Sequence, residues 1–151
     1  MIRLEDAIQQ KHFPDVHLKM DINIMFTASW LANIKSRALK EFGISWQQFN
    51  ILRILKGCHP KPASVRYLAE RMIDQTSNAS RLVDKLVLKK LVDRNVCPED
   101  RRQVEITLTD HGMQEVGRAS LELEGGVKSY LHHLTEEEAT QLNALLDKIR
   151  I

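Results

Sequence analysis

The spacing of apolar residues changes once along this chain, between Leu86 and Val104, and that change restricts the fold more than any other feature. Before it, apolar residues recur every three or four positions. Ser64 caps a short helix carrying Val65, Leu68, Ala69 and Met72, and after a tight turn a second helix spans about 75–89 with Ala79, Leu82, Val83 and Leu86 as its stripe. The opposite side of that helix holds Ser77, Asn78, Arg81, Asp84 and Lys85. After the change, 103–108 alternates polar and apolar, which is the strand period, and 91–96 reads as its partner strand. The polar stretch Cys97-Pro98-Glu99-Asp100-Arg101-Arg102 joins the two as a turn. Two short helices joined by a tight turn and followed by a charged hairpin form a helix-turn-helix with a wing.

Longer helices flank this segment. Leu18, Ile22, Met25, Phe26, Trp30, Ile34, Ala38 and Leu39 follow helical spacing across 17–42, and Gly43 closes that helix. Met20, Ile24, Leu31 and Ala32 make it apolar on more than one face. Residues 1–15 show no period and read as a loose arm. Ser45 with Gln48 forms a capping box, with Ile44 and Phe49 as its hydrophobic staple, for a helix from Trp46 to about Lys56 that Gly57 stops. Thr109 caps a further helix whose Gly125-Gly126 pair predicts a break. Thr135 with Glu138 caps a last helix whose apolar face is Ala139, Leu142, Leu145, Leu146 and Ile149. Such faces either close one monomeric core or meet a second copy; their size favours a homodimer.

Composition narrows the function classes. At 151 residues, with 43% hydrophobic and 28% charged side chains, the chain is one globular domain. Lys and Arg outnumber Asp and Glu eight to five over 1–60 and ten to six over 61–103, whereas 104–151 reverses to four against nine. The basic middle coincides with the helix-turn-helix and points to nucleic acid. No apolar run approaches the roughly 18 residues of a membrane helix. The start, MIRLEDAIQQ, lacks an apolar signal core, so a cytoplasmic protein with reduced cysteines is expected. Cys58 reads as a small buried filler, and Cys97, near Arg94, Arg101 and Arg102, as an exposed thiol of raised reactivity. Neither His132-His133 nor His12 with His17 has structural metal spacing, so no metal and no cofactor is expected. There is no Gly-rich phosphate loop, nucleophile elbow or metal-binding helix pair, so the chain does not read as an enzyme.

Arg81-Leu82-Val83-Asp84-Lys85-Leu86 followed by Leu91-Val92-Asp93-Arg94 resembles the recognition helix and first wing strand of MarR-type (multiple antibiotic resistance regulator) transcriptional regulators. Asp100-Arg101-Arg102, then Leu108-Thr109 and Gly112, resembles that family's wing signature, and Leu134-Thr135-Glu136-Glu137-Glu138 its last helix. The resemblance covers roughly 18–150 and departs at Ile73 and Lys90, where the family often has Gly, and at Val87 and Leu88, where it carries charge. Val87 and Leu88 are therefore expected to be buried.

The resemblance implies a mainly α fold with a small β-hairpin wing. It implies one domain over 1–151, with a winged helix-turn-helix at about 44–108 and dimerisation helices at about 17–42 and 109–151. It further implies a dimeric, ligand-responsive repressor on a pseudo-palindromic operator in double-stranded DNA. Gln75, Thr76, Ser77, Asn78 and Arg81 would read the major groove, because short amides and hydroxyls suit base edges and an arginine forks onto guanine. Arg101 and Arg102 would enter the flanking minor groove with Asp100 orienting them, and Ser64 and Arg66 would touch the phosphate backbone. Met25, Phe26 and Trp30 are either core residues or the lining of a pocket for a small-molecule effector. The competing reading is a winged-helix protein-interaction module without sequence-specific DNA binding.

Overall fold

The computed structural model describes residues 2–96 and 104–150. The chain divides into two compact units, Met1–Trp46 and Gln47–Ile151. In the first, α1 (Leu4–Ala7) precedes α2 (Val16–Ala38), which tightens into a 3₁₀ turn over Leu39–Phe42. Asp15 starts α2, its carboxylate accepting from the N–H groups of Leu18 at 3.0 Å and His17 at 2.7 Å. Those two bonds hold its pKa below the usual carboxylate range. Gly43 ends the turn with φ at +63°, a conformation that strains any residue bearing a Cβ. No residue of α2 is buried, although the helix carries Leu18, Met20, Met25, Phe26 and Trp30.

The N-terminal arm is not loose, as its lack of period suggests. It forms the single turn of α1 and buries Leu4. Glu5 receives Lys19 Nζ at 2.5 Å. That bond, with a backbone hydrogen bond and Arg3 adding to it, pulls the Glu5 carboxyl down to about 2. A four-residue helix is too short to leave a periodic signal.

The second unit contains α3 (Trp46–Cys58, entering from the first), β1 (Ala63–Ser64), α4 (Val65–Arg71), α5 (Ala79–Leu88), β2 (Val92–Val96), β3 (Val104–Leu108), α6 (Asp110–Leu131) and α7 (Glu136–Ile149). The fold is mainly helical with a small antiparallel sheet in the order β1-β3-β2. The hairpin pairs Val92 with Leu108 and Val96 with Val104, while Ala63 pairs with Ile106 on the other edge of β3. β1 is absent from the sequence reading because two residues carry no alternation. Phe49, Ile51, Leu52, Leu68, Val83, Leu86, Val92, Ile106 and Val116 are almost wholly buried. Each such side chain contributes about 1.5–3 kcal/mol of transfer free energy.

α3 stops at Cys58, one residue past the expected Gly57, but the expected break in α6 is not there, and the helix continues through Gly125 and Gly126. A glycine costs about 1 kcal/mol in a helix interior, which a long hydrogen-bonded ladder absorbs. The capping box of α7 forms as expected: Glu138 N–H donates to Thr135 Oγ1 at 3.2 Å, and Thr135 N–H donates to Glu138 Oε2 at 2.9 Å. Its apolar face stays open, with Leu142, Leu145 and Ile149 all exposed. Among the described residues no helix is long and apolar enough to cross a membrane. None of their His, Cys, Asp and Glu side chains form a group of three that could hold a metal ion.

Candidate nucleic-acid interface

α4 begins at Ser64, whose hydroxyl accepts the Tyr67 N–H at 3.1 Å. Arg66, in the first turn, donates from Nε to Glu70 Oε1 at 2.8 Å, and that carboxylate raises its pKa. After α4 the chain turns through Ile73, whose N–H donates to Oδ1 of the buried Asn50 at 2.9 Å. The backbone at Ile73 is not left-handed, so this turn has no need of glycine. Cys58 is half-buried rather than a core filler, with Sγ 3.5 Å from Tyr67 Oη.

The next segment corrects the expected start of the second motif helix. Asp74 accepts the Thr76 hydroxyl at 2.6 Å, the Ser77 hydroxyl at 2.8 Å and the Thr76 N–H at 3.1 Å. These donors keep its carboxyl below the usual range. The chain is therefore held in a turn, and α5 begins at Ala79 with Asn78 as its cap, Oδ1 accepting from Arg81 N–H at 3.0 Å. Gln75, Thr76 and Ser77 lie on the approach to the helix, not on it. The hydroxyl protons of Thr76 and Ser77 go to Asp74, which leaves those oxygens as acceptors. Gln75, Asn78 and Arg81 are exposed.

α5 buries Ala79, Val83 and Leu86 and exposes Arg81, Asp84, Lys85 and Lys89. Arg81, Lys85 and Lys89, four residues apart, make a basic row on the exposed side. The sequence places Arg81 and Lys85 on this side and makes only Arg81 a base-reading candidate; Lys89 extends the row at the same spacing.

The end of α5 fixes the wing. Lys90 N–H donates to Val87 O at 2.8 Å and Leu91 N–H to Leu86 O at 3.1 Å, the bond pair of a Schellman motif. The motif needs a left-handed residue after the cap, and Lys90 supplies it with φ at +57°. The glycine that the resembling family often has at this position would adopt that conformation without strain.

Thr109 then ties α6 to the same point. Its hydroxyl donates to Lys90 O at 2.8 Å and accepts from Gly112 N–H at 2.9 Å, while its own N–H donates to Leu91 O at 3.2 Å. A Cβ at Gly112 would stand 1.9 Å from Leu91 O, so only glycine permits this approach. On the other side of the junction Arg94 Nη1 donates to Asp84 Oδ1 at 2.5 Å, linking β2 to the exposed side of α5. The sequence reading did not foresee this pair, because it depends on how the motif swings the strand back.

The expected wing residues Asp100, Arg101 and Arg102, with Cys97, lie outside the described residues. Leu88 is 83% exposed and Val87 half-buried, so the expectation that both are buried fails at Leu88. Of the three candidate effector residues, Phe26 and Trp30 line one cavity in the first unit, with Asn23 and Thr27 between them. Met25 is not part of that lining and is 66% exposed.

The sequence model of the MarR family matches residues 42–103. The HTH-type transcriptional repressor MdtR of Bacillus subtilis is 31% identical over 119 residues, 74% of this chain and 71% of MdtR. The HTH-type transcriptional regulator PecS of Dickeya dadantii is 28% identical over 156 residues, covering 98% of this chain and 93% of PecS. The crystal structure of the S. aureus MepR–DNA complex superposes with a TM-score of 0.77 at 24% identity, covering 85% of this chain and 94% of MepR. With 31% identity to MdtR over most of both chains and the family model matching the helix-turn-helix, the chain belongs to the MarR family of transcriptional regulators.

Proposed function

We propose that this regulator is a homodimeric, ligand-responsive repressor that binds a pseudo-palindromic operator in double-stranded DNA, acting in the cytoplasm. The observation that carries the reading is the exposed Arg81–Lys85–Lys89 row on a helix braced to the wing by the Asp84–Arg94 pair. The major groove admits one helix, and a basic row facing it gains from every phosphate it neutralises. In this reading Arg81 forks onto a guanine, and Gln75 and Asn78 approach base edges. Thr76 and Ser77 hold the turn through Asp74 and accept rather than donate. Ser64 and Arg66 lie against the phosphate backbone. Arg101 and Arg102 enter the flanking minor groove, with Asp100 orienting them.

Dimerisation is supported by the apolar side chains that α2 and α7 leave exposed. A two-fold dimer sets half-site centres about one helical turn, roughly 10 base pairs, apart. MepR, solved on DNA, and MdtR, named as a repressor, support the reading by likeness. Phe26 and Trp30 contribute to the effector site.

Selection from a random duplex pool with reduced protein tests it. The expected result is an enriched inverted repeat, bound with an affinity that falls steeply with salt. Folded, dimeric protein that enriches nothing would instead point to the wing as a protein-interaction surface. Arg101→Ala and Arg102→Ala should each weaken operator binding about tenfold, roughly 1.4 kcal/mol, without lowering Tm. Unchanged affinity in both would remove the wing from the mechanism.

A further inference from the structure

One exposed apolar side chain stands on the basic face of α5. Leu88, the last residue of that helix, is 83% exposed, while Ala79, Val83 and Leu86 are buried. At about 100° per residue, Leu88 falls within about 60° of Arg81 and Lys85 and opposite the buried stripe. A lone exposed leucine is ordinary on a protein surface. This one shares its face with Arg81, Lys85 and Lys89. The turn that carries it is closed by the Lys90 N–H to Val87 O bond at 2.8 Å and the Leu91 N–H to Leu86 O bond at 3.1 Å. Asp84, one turn earlier, receives Arg94 Nη1 at 2.5 Å, so its charge is compensated within the protein.

We propose that Leu88 is a specificity-determining residue that packs on the C5 methyl group of a thymine in the major groove. Repulsion among its cationic neighbours keeps a second copy of this face away, whereas a duplex neutralises them. The thymine methyl is the apolar group that base pairs present in that groove. Over the edge of a G·C pair the leucine would cover hydrogen-bonding groups and give them no partner. The two contacts differ in sign, which makes a side chain without polar atoms selective. α5 is 10 residues long, and Leu88 lies about 10.5 Å beyond Arg81 along its axis. At about 3.4 Å per base-pair step, the thymine stands about three steps from the guanine of Arg81. The assignment rests on the regulator reading above and adds which base one apolar residue selects.

The operator selected from the random duplex pool supplies the probe. Replacing its thymines one at a time with deoxyuridine removes the C5 methyl and leaves every hydrogen-bonding group in place. One thymine in each half-site should respond, with binding of the whole protein about fourfold weaker per half-site, the worth of one buried methyl group. In Leu88→Ala the same replacement should cost under about twofold, and the pool selected by that variant should lose its preference for thymine there. A thermal melt establishes that the variant is folded. A leucine serving stability alone would lower Tm and leave the deoxyuridine penalty unchanged. No responding thymine, or a penalty of equal size in folded Leu88→Ala, would overturn the assignment and leave the regulator reading standing. Folded, dimeric protein that enriches no operator would overturn the regulator reading and the assignment with it.

Discussion

Helices α2 and α5 solve opposite problems. α5 has 10 residues, buries Ala79, Val83 and Leu86, and turns every charge outward. α2 has 23 residues, is apolar on several faces, and buries none of them. The first is finished by the rest of its own unit. The second leaves Leu18, Met20, Met25, Phe26 and Trp30 exposed, and α7 leaves Leu142, Leu145 and Ile149 exposed. An isolated exposed leucine needs no explanation, but rows of them on two long helices do. The contrast separates residues that hold the winged fold together from residues that the proposed dimer would cover.

The strongest way to break this contrast is to charge the open face. Leu142→Glu with Leu145→Glu should weaken self-association at least 100-fold, about 2.8 kcal/mol, while the secondary structure stays intact. Sedimentation would read the change, and an undiminished dimer would show that α7 serves something else. On the finished side, Gly112→Ala should cost about 3 kcal/mol in urea unfolding, because a backbone carbonyl occupies the space of the new methyl group. Gly117→Ala, five residues along the same helix, meets nothing within 4 Å and should gain about 0.5–1 kcal/mol. Equal effects at the two sites would discard the Leu91 junction as a constraint. Lys90→Gly should gain about 1 kcal/mol by relieving the left-handed residue.

The smallest effect concerns the arm. Glu5 has its pKa depressed from 4.5 to about 2, so the stabilisation from its ion pair is complete above pH 4.5 and is lost as the pH falls through about 2. Carboxyl titration by NMR should find a midpoint near 2 that returns towards 4.5 in Lys19→Met.

The sequence announces what its periods can carry. The helix-turn-helix, the hairpin and the capping box at Thr135 are all legible, because each spans enough residues to repeat or has paired cap chemistry. The start of α5 is not. Asp74 and Asn78 stand four apart and either can cap, and only the structure shows Asp74 occupied by the hydroxyls of Thr76 and Ser77. The two-residue β1 and the four-residue α1 fall below any period. Gly125 and Gly126 predict a break in α6 that does not form, because their local cost is absorbed by the hydrogen-bonded ladder around them. The Asp84–Arg94 link arises from a helix end whose left-handed residue is a lysine, which no propensity rule favours.

The Thr109 knot has a mechanical consequence. α5, β2 and the first turn of α6 share it, so α5 and the wing stem are hydrogen-bonded to the start of α6 as one head. With 22 residues α6 is a lever about 33 Å long. Rotating such a lever by about six degrees sweeps its tip by about one base-pair step, 3.4 Å. In the proposed regulator, a sub-ångström push near the pivot would thereby be geared up into a shift of register on the duplex.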